Sequence, residues 1–149
     1  MVMNNNSLDP RKALSGFCIY GDFVDVKPYG TGHINDTFLA TYNQGGTVVR
    51  YTLQHLNTAI FKDPVGLMDN VRRVTEHSRR RLIETNDPEP SRKALSLIPA
   101  CKGGVLHFDE EGNAWRCYSF IEGAFTVDIV DSEKSAFEAA RSFSRFQAL

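Results

Sequence analysis

A short stretch with two glycines limits most strongly what this chain can fold into. Residues 29–38 (Tyr-Gly-Thr-Gly-His-Ile-Asn-Asp-Thr-Phe) carry Gly30 and Gly32 between two apolar runs, 23–26 and 38–42. Both runs contain β-branched and aromatic residues in rough alternation, a pattern typical of strands. The stretch therefore predicts a β-hairpin whose turn has little side-chain bulk. Such a turn lets backbone N–H groups approach an anion closely, but glycines also close hairpins that bind nothing.

The residues after this hairpin predict a third strand and a long helix. A turn cluster at 43–46 precedes the third strand, 48–55. Asp63 and Pro64 then begin a helical pattern that continues to about Glu84. One stripe of this helix is expected to pack on the sheet. It consists of Leu67, Val71, Val74, Ser78 and Leu82.

Alternation along the third strand separates two faces. Val49, Tyr51 and Leu53 are expected in the core. The residues between them point to the opposite face, towards whatever the hairpin covers. They are Arg50, Thr52 and Gln54.

The last part of the chain predicts two more strands and a final helix. Segments 95–99 and 103–108 form a broken fourth strand, and 109–113 is a turn before the fifth strand, 114–121. Asp131 or Ser132 caps the final helix, just as Ser7 or Asp9 caps a short first helix. The expected fold class is α+β, a five-stranded antiparallel sheet packed by one long helix. On the final helix an apolar face is left uncovered, so we expect a piece of a longer protein. That face carries Ala136, Ala140, Phe143 and Gln147.

Charge and composition argue against several classes of protein. The chain has 17 basic and 18 acidic residues, which gives no support for a nucleic-acid or membrane partner. The first seven residues lack the features of a signal peptide, and no stretch is long and apolar enough to span a membrane. Cys18, Cys101 and Cys117 show no metal spacing and are expected as buried thiols. These features predict a cytoplasmic protein.

Four segments carry a resemblance to a known family. They are 32–38 (GHINDTF), 51–57 (YTLQHLN), 60–64 (IFKDP) and 67–71 (LMDNV). In this order and spacing they resemble the N-terminal lobe of the aminoglycoside-phosphotransferase-like kinases, most closely the N-acetylhexosamine 1-kinase group. The similarity runs from about Gly21 to the end of the chain.

The resemblance implies three parts in the chain. An N-terminal extension with a short helix covers residues 1–20, and a protein-kinase-like N-lobe covers 21–121. A hinge and the first helix of a truncated C-lobe cover 122–149.

The resemblance also implies an ATP site beneath the glycine hairpin. Its residues are Gly30, Thr31, Gly32, His33, Asn35, Thr37, Thr52, Gln54, Phe120, Ile121 and Glu122. In such kinases adenine bonds to the backbone of the connector after strand five, here 119–123. Thr52 and Val26 are expected to line the adenine pocket. His33 would contact the γ-phosphate or the sugar acceptor, or it is simply solvated.

Gln54 occupies the position where these kinases usually carry a phosphate-pairing lysine. The nearest acid on the long helix, Glu76, projects away from the packed stripe, so the usual Lys–Glu pair is expected to be absent. Asn35, Asp36 and Thr37 are expected to bond locally and hold the hairpin tip. His77 is expected at the edge of the core, bonded to a neighbouring strand.

The implied activity is ATP-dependent transfer of a phosphoryl group to a small molecule. The acceptor would be the anomeric hydroxyl of an N-acetylhexosamine, with Mg²⁺ as cofactor. The catalytic aspartate and the metal ligands of this family lie in the second lobe, and their motifs do not occur in this chain. The chain alone is therefore expected to be inactive. Two alternatives stay open: a kinase for another acceptor, such as an aminoglycoside or amino alcohol, and a non-catalytic nucleotide or ligand-binding module.

Overall fold

A computed structural model of the protein describes residues 8–124, 129–130 and 132–149. The strands and helices within these residues follow the order expected from the sequence, except for the short helix α3, which lies where a loop was expected. They are α1 (Pro10–Leu14), β1 (Asp22–Pro28), β2 (Asp36–Gln44), β3 (Thr47–His55), α2 (Pro64–Glu84), α3 (Pro90–Lys93), β4 (His107–Phe108), β5 (Ala114–Ser119) and α4 (Glu133–Gln147). The α+β class is confirmed, with a five-stranded sheet and a long helix between its third and fourth strands.

The five strands lie in the order β1-β2-β3-β5-β4, and every neighbouring pair is antiparallel. β3 is central, paired with β2 on one side and β5 on the other. The predicted fourth strand is broken, as expected, because Gly103 and Gly104 turn the chain with φ values of 96° and 73°. Its first part contributes an isolated bridge from Leu97 to Tyr118, and its second part is the short β4.

Contacts within the chain group the described residues into two units. The first contains 8–72 and 96–120, and so includes the whole sheet and the beginning of α2. The second contains the rest of α2, α3 and the described residues after Phe120.

One face of the sheet packs against α1 to form the main core of the first unit. Leu53, Trp115 and Cys117 are fully buried there, beside Ala13 and Leu14 of α1. The expected core positions of β3 are confirmed, since Tyr51 is also buried and Val49 packs against this cluster. The cap of α1 is Asp9, whose Oδ1 accepts from the Lys12 amide at 3.0 Å, while the alternative Ser7 lies outside the described residues.

The opposite face of the sheet packs against the first turns of α2. Leu56, Met68 and Ala114 form a buried cluster there, with Leu67 and Val71 packed around it. The predicted stripe of α2 was wrong at Val74, which is 47% exposed. Met68, Ser78 and Leu82 are buried, and with positions 71 and 75 they form a stripe in which successive residues are three or four apart. Val74 lies one residue before position 75 and therefore outside this stripe.

Two further expectations were wrong. Val26 does not share a face with Thr52, because its side chain packs into the core beside α1. Cys18 and Cys101 are exposed thiols with sulfurs 3.5 Å apart, and only Cys117 is buried. Burial raises the pKa of the Cys117 thiol to about 12, so it stays protonated in the core.

Candidate functional site

The glycine hairpin opens into an exposed loop, residues 29–35, between β1 and β2. Its base is closed by the Tyr29 amide, which donates to the Thr37 carbonyl at 2.9 Å. Gly30 has φ of 83°, in the left-handed region that favours glycine, whereas the φ of Gly32 lies outside that region. A Cβ at either glycine would meet no atom within 4 Å. The loop backbone is therefore accessible to a ligand.

Four of the predicted loop residues are exposed: Gly30, Thr31, Gly32 and His33. His33 has no hydrogen-bond partner among the described residues. Its expected roles at the γ-phosphate or at the acceptor stay predictions.

The last residue of the loop and the first residues of β2 are anchored to β3 and to Asn57, two residues after β3. Asn35 Oδ1 accepts from the Asn57 amide (3.0 Å), Asp36 Oδ2 pairs with His55 Nδ1 (2.9 Å), and Gln54 Nε2 donates to Thr37 Oγ1 (2.8 Å). The expectation of local bonding was wrong for these residues, because the pairing of β2 with β3 sets Asp36 opposite His55. The loop therefore leaves the sheet from a fixed point.

A short chain of hydrogen bonds crosses the sheet from this anchor. Gln54 bonds Thr37 on β2 and accepts at Oε1 from Arg116 Nε on β5, at 2.9 Å. The three side chains therefore lie on one face of three adjacent strands. Leu39, Thr52 and Tyr118 lie two residues further along each strand, and alternation puts them on the same face.

Arg116 was not predicted from the sequence, although it is a cation of the face that also carries Arg50. Its guanidinium is half-buried, and Nη1 lies 3.9 Å from Met68 Sδ on α2. Burial lowers the pKa of Arg116, with nearby Tyr118 opposing the shift, but a guanidinium keeps its proton in proteins. Among the described residues no carboxylate pairs with it. Only the strand register, which sets Arg116 opposite Gln54, identifies this residue.

Phe120, the first residue after β5, lies beside the start of the glycine loop. Its ring meets the Tyr29 ring edge-on, with centroids 5.5 Å apart, and Arg50 lies over its face at 4.8 Å. The Phe120 amide donates to the Arg50 carbonyl at 3.1 Å. Two segments far apart in sequence, the loop and the predicted connector, are thus adjacent in the first unit.

The predicted connector residues after Phe120 belong to the second unit. There the Glu122 carbonyl accepts from Arg92 Nη1 at 2.5 Å, and Ile121 is half-buried. His77, expected against a strand, is exposed with Nε2 3.0 Å from the Leu149 carbonyl, so that expectation was wrong. Glu76 is exposed, as its position off the packed stripe predicted.

A separate cavity of about 700 Å³ lies in the second unit. Arg92, Lys93 and Arg145 line it together with Phe146, and none of the predicted site residues does. Lys93 is paired with Asp87 at 2.6 Å, and Arg92 is held by Glu122, so this cavity offers few free donors.

Within 8–124, 129–130 and 132–149, no group of three or more His, Cys, Asp or Glu side chains could hold a metal ion. Over the same residues no helix combines the length and the apolar character needed to cross a membrane. A scan of the sequence against models of known protein families finds no match.

Proposed function

We propose that this chain is the nucleotide-binding lobe of a cytoplasmic, ATP-dependent phosphotransferase. Its acceptor is a small molecule, an N-acetylhexosamine phosphorylated at the anomeric hydroxyl. Mg²⁺ and the catalytic aspartate would act from a second lobe, as in the kinases that the sequence resembles.

The observation that carries this proposal is the contact between Tyr29 and Phe120. It brings the accessible glycine loop next to the segment after β5, where the resemblance expects adenine to bind. In the same unit, the fixed exit of the loop is bonded through Thr37 to the face that carries Gln54 and Thr52. A nucleotide needs these elements in one place: backbone donors for phosphate, and an apolar slot with backbone groups for the base.

The order of the elements along the chain is a second support. A hairpin, a third strand, a long helix and two closing strands agree with the element order of a kinase-like N-lobe. Fold order alone does not assign an activity, so the proposal depends on the loop and the connector.

The test is a titration of the labelled chain with ATP, followed by amide and side-chain resonances. We expect perturbations at the loop residues 30–33, Thr52 and Phe120. Adenosine should move Thr52 and Phe120 but not the loop, because only the phosphates reach the glycines. An ATP titration that leaves all of these resonances unmoved would overturn the proposal.

A non-catalytic nucleotide-binding module is the second candidate. It is favoured by Gln54 at the position where the kinases carry a lysine. Sequencing the coding DNA beyond codon 149 separates the two. An aspartate-containing catalytic loop followed by a metal-binding aspartate supports the kinase, and a reading frame without them supports the module.

A further inference from the structure

We infer that Arg116 is the cation of an anion-binding site that takes the phosphates of a nucleoside triphosphate. This inference rests on the proposed function and deepens it. It assigns the positive charge that Gln54 does not supply to a residue on the neighbouring strand.

The energetic cost of Arg116 is the first reason. A half-buried charge loses hydration, and proteins usually compensate the loss with an opposite charge and hydrogen bonds. Here the partners among the described residues are the neutral Gln54 amide and the Met68 sulfur, and the Nη2 group has no partner. A guanidinium retained in this state without a carboxylate is poised to bind an anion from outside the chain.

The geometry of the hydrogen bonds is the second reason. Nε donates to Gln54 Oε1, which holds the plane of the guanidinium fixed. Gln54 in turn donates to Thr37, at the point where the glycine loop joins β2. Only two side chains therefore separate the guanidinium from the loop. Planar N–H groups in a fixed orientation match phosphate oxygens well.

The charge of the same face is the third reason. On this face, the positions that neighbour Arg116 and Gln54 across and along the strands are neutral. They are Thr37, Leu39, Thr52, Ala114 and Tyr118. An approaching polyphosphate would meet no carboxylate on these strand positions. The rival role is purely structural, in which Arg116 only packs its stem on Met68 and bonds Gln54.

The experiment compares the wild-type chain with Arg116→Met and with Arg73→Met. Met keeps the unbranched stem and its packing while removing the charge. Arg73 is an exposed arginine of α2. Its variant therefore changes the net charge by the same amount, but at a position outside the proposed anion site. Each protein is titrated with ATP, adenosine and inorganic tripolyphosphate, and circular dichroism checks its fold. If Arg116→Met does not fold, Arg116→Gln, which keeps a donor for Gln54, replaces it.

We expect Arg116→Met to bind ATP and tripolyphosphate about ten- to a hundredfold more weakly, the range for a lost hydrogen bond to a charged group. Adenosine affinity should be unchanged, and Arg73→Met should behave as wild type. In the wild type, the Arg116 Nε–H resonance should move with ATP but not with adenosine.

The other outcomes separate the two ideas. If ATP binds the wild type and Arg116→Met equally, the Arg116 inference is overturned and the nucleotide lobe survives. If tripolyphosphate binds through Arg116, but adenosine does not bind and ATP binds no more tightly than tripolyphosphate, the anion site stands and the proposed function fails. If the wild type binds none of the three, both are overturned.

Discussion

At the scale of single residues, the two glycines of the loop have different roles. Gly30 has φ of 83°, and an alanine there would be strained by about 1–2 kcal/mol. Gly32 is outside the left-handed region and has open space around its Cβ position, so Gly32→Ala should change stability by less than about 0.5 kcal/mol. We nevertheless expect Gly32→Ala to weaken ATP binding, because the methyl group would hold the phosphates away from the backbone.

Urea denaturation and ATP titration of the same variants check this pair of effects. Gly45→Ala, in the β2–β3 turn, is the matched control for Gly30→Ala, since Gly45 also has positive φ (62°) and no neighbour within 4 Å. Gly45→Ala should lose about as much stability as Gly30→Ala and should bind ATP as tightly as the wild type. Wild-type ATP affinity in Gly32→Ala would mean that the loop is only a hairpin turn.

At the scale of elements, the β4–β5 hairpin depends on one carboxylate. Asp109 accepts from the Glu111 and Asn113 amides, from Asn113 Nδ2, and from Nε1 of the fully buried Trp115 at 2.8 Å. Asp109→Asn would replace one of the accepting oxygens with an N–H₂ group, which cannot accept hydrogen bonds from these donors. We expect a loss of about 2 kcal/mol in the free energy of unfolding, measured by urea denaturation.

The same carboxylate predicts a pH dependence. Burial opposes ionisation of Asp109, but the hydrogen bonds from Trp115 and Asn113 outweigh it, and the pKa is lowered. Its stabilisation is therefore complete above the unfolded-state pKa of about 3.9 and is lost as the pH falls through the lower folded pKa. In Asp109→Asn, the free energy of unfolding should fall less as the pH is lowered. Glu110→Gln, which changes an exposed carboxylate, should leave stability near pH 7 almost unchanged.

Helix α4 has little support from packing. It has no buried residue, and Phe137 and Phe143 are 63% and 62% exposed. We expect its amides to exchange faster than those of β3, and the chain to self-associate through this surface. Sedimentation velocity of Phe143→Gln should show less association, with Lys134→Gln as the control on an exposed polar position. Exchange in α4 as slow as in β3, in a proven monomer, would contradict this prediction.

At the scale of the whole molecule, we expect the chain alone to have no measurable kinase activity. Its described residues carry no cluster of metal ligands, and its sequence lacks the catalytic motifs of the family it resembles. A coupled assay with ATP, Mg²⁺ and N-acetylglucosamine should give the rate of the protein-free blank. Turnover well above that blank would show that the proposed division into lobes is wrong.

Local pattern was sufficient for much of the fold. Alternation along β3 identified Tyr51 and Leu53 as core, because side chains of a strand point alternately to its two faces. Pro64 marked the start of α2, since proline suits the first turn of a helix, and Asp109 marked the last hairpin. The placement of the glycine loop between β1 and β2 was also predicted.

The candidate site, in contrast, was decided by tertiary structure. Gln54 and Arg116 are 62 positions apart, and nothing in the local pattern of β3 or β5 states which residues face each other. The same holds for Tyr29 and Phe120, and for Val26, whose side chain packs on the face opposite to the expected one. A sequence determines which positions of a strand are apolar, but strand register and helix docking depend on the packing of the whole core. For this reason the glycine loop was found from the sequence, whereas Arg116, which is linked to the loop through Gln54 and Thr37, was found only from the fold.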